Sequence, residues 1–138
     1  ILGGAKRANI RLSDPKLAAH AQWAADRLQK SRLKVDGLMF KYKLTLADRQ
    51  CAMADLSQRI QDQIVMLVTA VYAGRQEDEI IRASAEALCQ TLQNKITGQL
   101  PSGKYFRTLT KLGESIVDGG FSALSGVDEL DIMQKYDA

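Results

Sequence analysis

A chain of 138 residues with 46% apolar and 25% charged residues has the length and composition of one globular domain. No run of about 18 apolar residues occurs, so the sequence predicts no membrane-spanning helix. The one histidine, His20, and the lack of a C-x-x-C pair or an E-x-x-H motif argue against zinc sites, carboxylate-bridged di-iron sites and Ser-His-Asp triads.

The net charge of +3 is unevenly distributed along the chain. Residues 1–44 carry ten Lys or Arg against three Asp, which is +7, and residues 45–138 carry nine against thirteen Asp or Glu, which is −4. A basic segment can meet nucleic acid, anionic lipid or an acidic protein face. Here the basic residues alternate with a helical apolar stripe, which favours a solvated helix face.

Residues 1–12 are predicted to be a connector from an upstream region, because Gly3 and Gly4 loosen the backbone and basic residues keep it solvated. The opening has neither an initiator methionine nor the apolar stretch of a secretory signal, so we expect a piece of a longer gene product. Residues 13–120 are predicted to form a helical bundle domain, and residues 121–138 a tail.

The first helix is predicted over residues 15–42. Ser13 and Asp14 supply capping side chains, and Pro15 is tolerated in the first helical turn. Gly37 predicts a bend or a break. The apolar stripe consists of Leu17, Ala21, Ala24, Leu28, Val35, Leu38 and Tyr42. Four small residues on the same helix would let another helix approach closely: Ala18, Ala21, Ala24 and Ala25. Trp23 lies beside them and suits either packing at the core or its boundary, or the role of an interface anchor.

The second helix, from Leu46 to Gly74, is the longest and most apolar stretch. Thr45 is its predicted N-cap, and Gly74 its predicted left-handed stop. Residues 64–72 are apolar almost all round and are expected to be the most buried part of the chain. The helical spacing predicts a buried stripe of Met53, Leu56, Ile60, Ile64, Leu67 and Val71. The opposite side, expected to face water, carries Asp48, Arg49, Asp55, Arg59 and Asp62.

Two shorter helices follow. Acidic residues 77–79 suit the start of the third helix, and Gly98 suits its end. Ser102 is expected to cap the fourth helix, which Gly119 and Gly120 end. The third stripe is Ile80, Ile81, Ala87, Leu88, Thr91, Leu92 and Ile96, and the fourth is Phe106, Leu109, Leu112, Ile116 and Val117. The sequence therefore predicts an all-α, up-down-up-down four-helix bundle with a short helical or irregular C-terminal tail.

The residues that could carry chemistry each have a simpler structural interpretation. Cys51 and Cys89 are expected to be reduced core thiols. The acidic run 77–79 could hold a cation but suits a helix start better, and the glycine pairs lack the spacing of a dinucleotide fingerprint. Basic and aromatic residues alternate over 104–107, as in nucleic-acid binders, although Phe106 also belongs to the apolar stripe. The sequence predicts no catalytic, cofactor-binding or metal-binding residue.

Four segments, in this order, resemble the C-terminal extension of very-long-chain-type acyl-CoA dehydrogenases over residues 13–122: SDPKLAAHAQWAADRLQKSRLK, KLTLADRQCAMADLSQRIQDQIVMLVTAVYAG, DEIIRASAEALCQTLQNKI and KYFRTLTKLGESIVDGG. The resemblance implies a non-catalytic helical domain that packs on the catalytic half of the same polypeptide. In that family an FAD-containing catalytic part oxidises acyl-CoA to 2-enoyl-CoA in fatty acid beta-oxidation, with a glutamate base that would precede Ile1. No functional residue of the family maps onto this chain, which is expected to hold no cofactor of its own.

Two other classes of function remain open. One is a free-standing helical adaptor that binds a partner helix through the Ala-rich face of residues 17–28. The other is a basic helical module that binds nucleic acid or a membrane surface. We favour the dehydrogenase domain and expect no nucleic-acid partner. A peripheral membrane contact stays open. We expect an intracellular, reducing compartment. We also expect self-association as a two-fold dimer, through Ala21, Trp23 and Ala25 or through the tail residues Phe121, Leu124, Val127 and Ile132.

Overall fold

The computed structural model describes residues 7–42, 50–119 and 121. Its four helices are α1 (Pro15–Tyr42), α2 (Gln50–Ala73), α3 (Glu79–Thr97) and α4 (Gly103–Gly119). They form the expected all-α, up-down-up-down bundle, and the described residues include no strand. The predicted N-cap Thr45 and nearly all of the predicted tail lie outside the described residues.

Local signals set most helix ends where the sequence predicts them. The Asp14 carboxylate accepts hydrogen bonds from the backbone N–H groups of Lys16 (2.9 Å) and Leu17 (3.2 Å) at the start of α1. Asp78 caps α3, and the Ser102 hydroxyl accepts from the N–H of Tyr105 at the start of α4. Gly98 ends α3 in the left-handed conformation, with φ of 72°. Helix α1 continues through Gly37, so the helix does not break there.

The core lies where α1, α2 and α3 meet. Its buried residues are mostly small: Leu17, Ala21, Ala24, Met66, Ala70, Ala73, Ala85 and Cys89. Small side chains on α1 and α2 allow a short distance between the helix axes. The expectation that the Ala-rich side of α1 offers an exposed surface to a partner or a second copy is therefore wrong, because Ala21 and Ala25 are buried inside the bundle.

Helix α2 is rotated relative to the predicted phase. Its buried residues are Leu56, Asp62, Gln63, Met66, Ala70 and Ala73. Of the predicted stripe only Leu56 is buried; Met53, Ile60, Leu67 and Val71 are half-buried and Ile64 is 47% exposed. The two stripes differ by about one residue, or roughly 100° around the helix. The alanines turn towards α1 because they permit the closest approach, and this carries the larger β-branched side chains outward.

The same rotation corrects two further expectations. Residues 64–72 are not the most buried stretch, since Ile64, Val65, Val68 and Tyr72 are all exposed. Asp62, expected to face water, is buried.

Gly74 has a different role from the predicted one. Its backbone is not left-handed; among the glycines that the structure describes, only Gly98 has a positive φ. Its N–H still donates to the carbonyl of Ala70 at 3.0 Å, so it continues the helical pattern. A Cβ at this position would lie 2.9 Å from a methyl carbon of Leu12. The space above Gly74 is thus taken by Leu12, whose side chain would have to shift to admit a Cβ.

Residues 7–12 run along the bundle in an extended path. Arg7 forms an ion pair with Asp26 on α1 (2.6 Å), and the N–H of Ile10 donates to the Gln22 side chain. The Arg7 guanidinium, with a second hydrogen bond from Gln22, lowers the pKa of the Asp26 carboxyl. This end of the segment predicted to be a connector therefore lies against α1.

Helix α4 packs on α3 at the edge of the bundle. None of its residues is fully buried: Leu109, Leu112 and Ile116 are half-buried, whereas Phe106 and Val117 of the predicted stripe are exposed. The apolar stripe of α4 thus contacts α3 along one edge and leaves its other edge open.

Candidate functional site

A groove lies between α3 and α4. Its volume is about 720 Å³, and Lys16 at the start of α1 also lines it. Ile80 and Ala87 of α3 and Leu109 and Leu112 of α4 supply apolar lining. A volume of this order is typical of a site that binds a small ligand or a docked segment.

The polar residues of the groove are largely engaged with one another. Lys16 forms an ion pair with Glu86 (3.0 Å). The Asn94 side chain, which is buried, accepts a hydrogen bond from Gln90 at 3.1 Å. Tyr105 hydrogen-bonds through its hydroxyl to Thr91, outside the apolar lining. Of these pairs, Tyr105–Thr91 joins α4 to α3 and Lys16–Glu86 joins α1 to α3, and none is a nucleophile–base pair.

His20 lies half-buried on the side of α1 that faces α3. Burial lowers the pKa of its imidazole, while the nearby carboxylates of Glu86 and Asp14 and a hydrogen bond with Gln93 act in the opposite direction. A neutral imidazole in this position packs between two helices, as expected for a structural histidine.

The two cysteines are in different environments. Cys89 is buried in the core, where its thiol donates to the carbonyl of Met66 (3.6 Å) and burial raises its pKa to about 11. Cys51 is exposed near the start of α2, so the expectation of two core thiols is wrong for this residue.

An ion pair between a buried carboxylate on α2 and a half-exposed ammonium on α3 joins these two helices. The Asp62 carboxylate contacts the Lys95 ammonium at 2.8 Å and accepts a hydrogen bond from Gln58. The apolar pattern did not predict this pair, because it placed Asp62 on the solvent side of α2. On the other side of α2, the buried Gln63 side chain accepts a hydrogen bond from Ser31 of α1 (3.1 Å). Both contacts fix the rotation of α2 between its neighbours.

Two exposed apolar surfaces remain. The first, called here the α2 apolar face, consists of Ile64, Val65, Val68 and Tyr72, which are between 47% and 61% exposed. The spacing of these residues places them on one side of α2. The second, called the α1 edge, combines exposed apolar and basic residues in the C-terminal half of α1: Lys30, Leu33, Lys34, Met39, Phe40 and Lys41.

Trp23 lies at the boundary of the core, as expected, and the Arg27 guanidinium covers its ring at 4.4 Å from the centroid. The basic and aromatic residues 104–107 form the first turns of α4, where Tyr105 and Phe106 pack edge to face at 5.7 Å. Asp78 of the acidic run caps α3 with its side chain.

Comparisons with protein-family models, with curated proteins and with solved structures found no match to this chain. Within the described ranges, no three His, Cys, Asp or Glu side chains are grouped so that they could hold a metal ion. In the same ranges, every helix is too short or too polar to cross a membrane.

Proposed function

We propose that this chain is a non-catalytic C-terminal helical domain of an FAD-dependent acyl-CoA dehydrogenase, which packs on the catalytic half and supports its assembly. The observation that carries the proposal is the α2 apolar face. Four large side chains are exposed on one side of this helix. Contiguous apolar surface of this kind is typical of a protein interface. The order of the four resembling segments, and the pattern of polar and apolar residues in each, support the catalytic half as the partner.

On this proposal the flavin and the glutamate base belong to residues outside this chain. The chain's own contribution is a rigid apolar surface, held in orientation by the Asp62–Lys95 and Ser31–Gln63 contacts behind it. The proposed parent enzyme oxidises acyl-CoA to 2-enoyl-CoA, and the bundle stabilises the arrangement in which it does so.

Sequencing the coding region that precedes Ile1 is the most direct test. We expect an acyl-CoA dehydrogenase core with its glutamate base in the same reading frame. An unrelated upstream domain, or a start codon a few residues before Ile1, would contradict the proposed parent.

A charge placed in the α2 apolar face tests the interface itself. In the parent enzyme, Val68→Glu should weaken the association of the bundle with the catalytic half by about 10- to 100-fold, because an uncompensated carboxylate would be buried. Ala54→Glu is the matched control, since it adds the same charge at an exposed site on α2, more than three turns away. Limited proteolysis and flavin retention measure the docking, and equal behaviour of the two variants would contradict it.

The α1 edge favours a second candidate, a peripheral contact with an anionic membrane surface. Leu33 and Phe40 are 62% and 77% exposed, and Lys30, Lys34 and Lys41 lie beside them. Exposed apolar residues flanked by lysines are typical of helices that lie in the membrane interface. Sedimentation with anionic and with zwitterionic vesicles tests this. Binding to anionic vesicles should be lost in Leu33→Ser and retained in Leu100→Ser, which alters an exposed leucine outside α1.

A further inference from the structure

The α3–α4 groove, which the proposed function does not use, lies open between two antiparallel helices. On α3 it is lined from Glu79 to Asn94, a length of about 22 Å at 1.5 Å per residue. Side chains are exposed along both walls, among them Ala83 on α3 and Thr108 and Ser115 on α4. A small ligand favours a site that encloses most of its surface, whereas an open groove of this length suits a docked helix.

The apolar lining of the groove has the spacing with which helices pack on one another. Ile80 and Ala87 on α3 are seven residues apart, and Leu109 and Leu112 on α4 are three residues apart, so each pair lies on one side of its helix. All four are half-buried. Leu100, which lines the groove from the connection between α3 and α4, is 92% exposed. The apolar stripe of a docked helix would cover these side chains.

The unpaired cations of the groove are two lysines on α4. Lys104 and Lys111 are exposed and seven residues apart, so they lie along the same rim of the groove. Neither forms an ion pair with another residue that the structure describes. Of the carboxylates in the lining, Glu86 is paired with Lys16, and Glu79 lies at the start of α3, at the opposite end from Lys104. The α4 rim is therefore complementary to acidic side chains spaced one heptad apart.

We propose that the α3–α4 groove binds an amphipathic helix of a partner protein that carries Asp or Glu at heptad spacing beside an apolar stripe. The stripe packs on Leu109 and Leu112 and covers Leu100, and the carboxylates lie over Lys104 and Lys111. A helix of about 15 residues matches the length of the groove. No α2 residue lines the groove, so this site is separate from the α2 apolar face.

Binding of designed helical peptides to the full 138-residue chain tests the proposal. The probe is a fluorescein-labelled helix of about 18 residues with leucine along one stripe and glutamate at heptad spacing beside it. The matched control peptide has lysine in place of each glutamate. By fluorescence anisotropy at low salt, we expect the glutamate helix to bind at least about tenfold more tightly than the lysine helix.

Charge reversal on the protein locates the binding site. Replacing Lys104 and Lys111 together by Glu should reverse the preference between the two peptides, because the α4 rim would then repel glutamate. The matched control is Lys30→Glu with Lys34→Glu, at two exposed sites on α1. It changes the net charge by the same amount and should leave the preference in place. Circular dichroism confirms that both double variants are folded.

The apolar contact is tested with two exposed leucines. Leu100→Ser should weaken binding of the glutamate helix several-fold, whereas Leu33→Ser on α1 should leave it unchanged. Equal affinity of the wild-type chain for the two peptides, or no measurable binding of either, would overturn the proposal. Loss of binding in the α1 variants with full binding in the groove variants would also overturn it, since the peptide would then lie on the α1 edge.

Discussion

The two sides of α3 are packed very differently. Towards α1 and α2, Ala85 and Cys89 are buried in a core made mostly of small side chains. Towards α4, a groove of about 720 Å³ remains and no α4 residue is fully buried. The apolar stripe of α4 is more regular than that of α3, yet neighbouring helices cover less of α4. A regular stripe therefore predicts a helix, whereas small residues on both partners determine where two helices pack closely.

Truncating the core side chain of α2 should produce the largest loss. Met66 is fully buried, and Met66→Ala should lower the free energy of unfolding by about 2–5 kcal/mol through lost contacts and a residual cavity. Val68→Ala, on the exposed side of the same helix, should cost less than about 0.5 kcal/mol. Urea denaturation of the two variants measures the difference, and similar losses would mean that the rotation of α2 described here is incorrect.

Two glycine-to-alanine substitutions compare a closely packed position with one that has open space around it. Gly74→Ala places a Cβ 2.9 Å from Leu12 and 3.1 Å from the Ala70 carbonyl, so it should destabilise by about 1–3 kcal/mol. Gly37→Ala meets nothing within 4 Å inside α1 and should stabilise by about 0.5–1 kcal/mol. Opposite shifts in thermal midpoint are the expected result. Stabilisation by both substitutions would show that Leu12 does not constrain Gly74.

The Asp62–Lys95 ion pair offers a comparison between the two sides of α3. Lys95→Met removes the ammonium from Asp62 and should cost about 1–2 kcal/mol, less than for a fully buried pair because the Lys95 side chain is 55% exposed. Lys104→Met on the groove side should have little effect on the free energy of unfolding. Denaturation at neutral pH measures both, and a neutral Lys95→Met would indicate that water replaces the ammonium.

The smallest expected effect is the contribution of His20 to the pH dependence of stability. Burial lowers the pKa of His20 in the folded state below its ordinary value, so the unfolded chain binds the proton more readily. The contribution of His20 to stability is therefore complete above the ordinary pKa of about 6.5 and decreases as the pH falls below it. Thermal midpoints of the wild type and His20→Gln at pH 7.5 and 5.5 test this. We expect a smaller decrease for the variant, and an identical decrease would assign the pH dependence to carboxylates.

The helix boundaries were predictable because they depend on neighbouring residues. Asp14 with Pro15, Asp78, Ser102 and Gly98 each act on backbone groups within a few positions. The same locality explains why the four-helix architecture followed from the sequence.

The rotation of α2 was not predictable from its own pattern. Counting apolar residues favoured Ile64 and its neighbours, but the close approach of Ala70 to α1 places them outside. The burial of Asp62 depends on Lys95, which lies 33 positions later on another helix. The groove likewise results from the separation of α3 and α4, which neither helix encodes alone.

The contact between Leu12, Ser13 and Gly74 has a consequence for the order of folding. The Ser13 hydroxyl donates to the Gly74 carbonyl across 61 positions of sequence, at 3.3 Å. Closing a loop of that length costs about 3.6 kcal/mol in chain entropy, more than one hydrogen bond and one leucine methyl contact return. The contact therefore forms only after α1 and α2 have paired. We therefore expect the contacts of Leu12 and Ser13 with Gly74 to form late in folding, and to open before α1 and α2 separate.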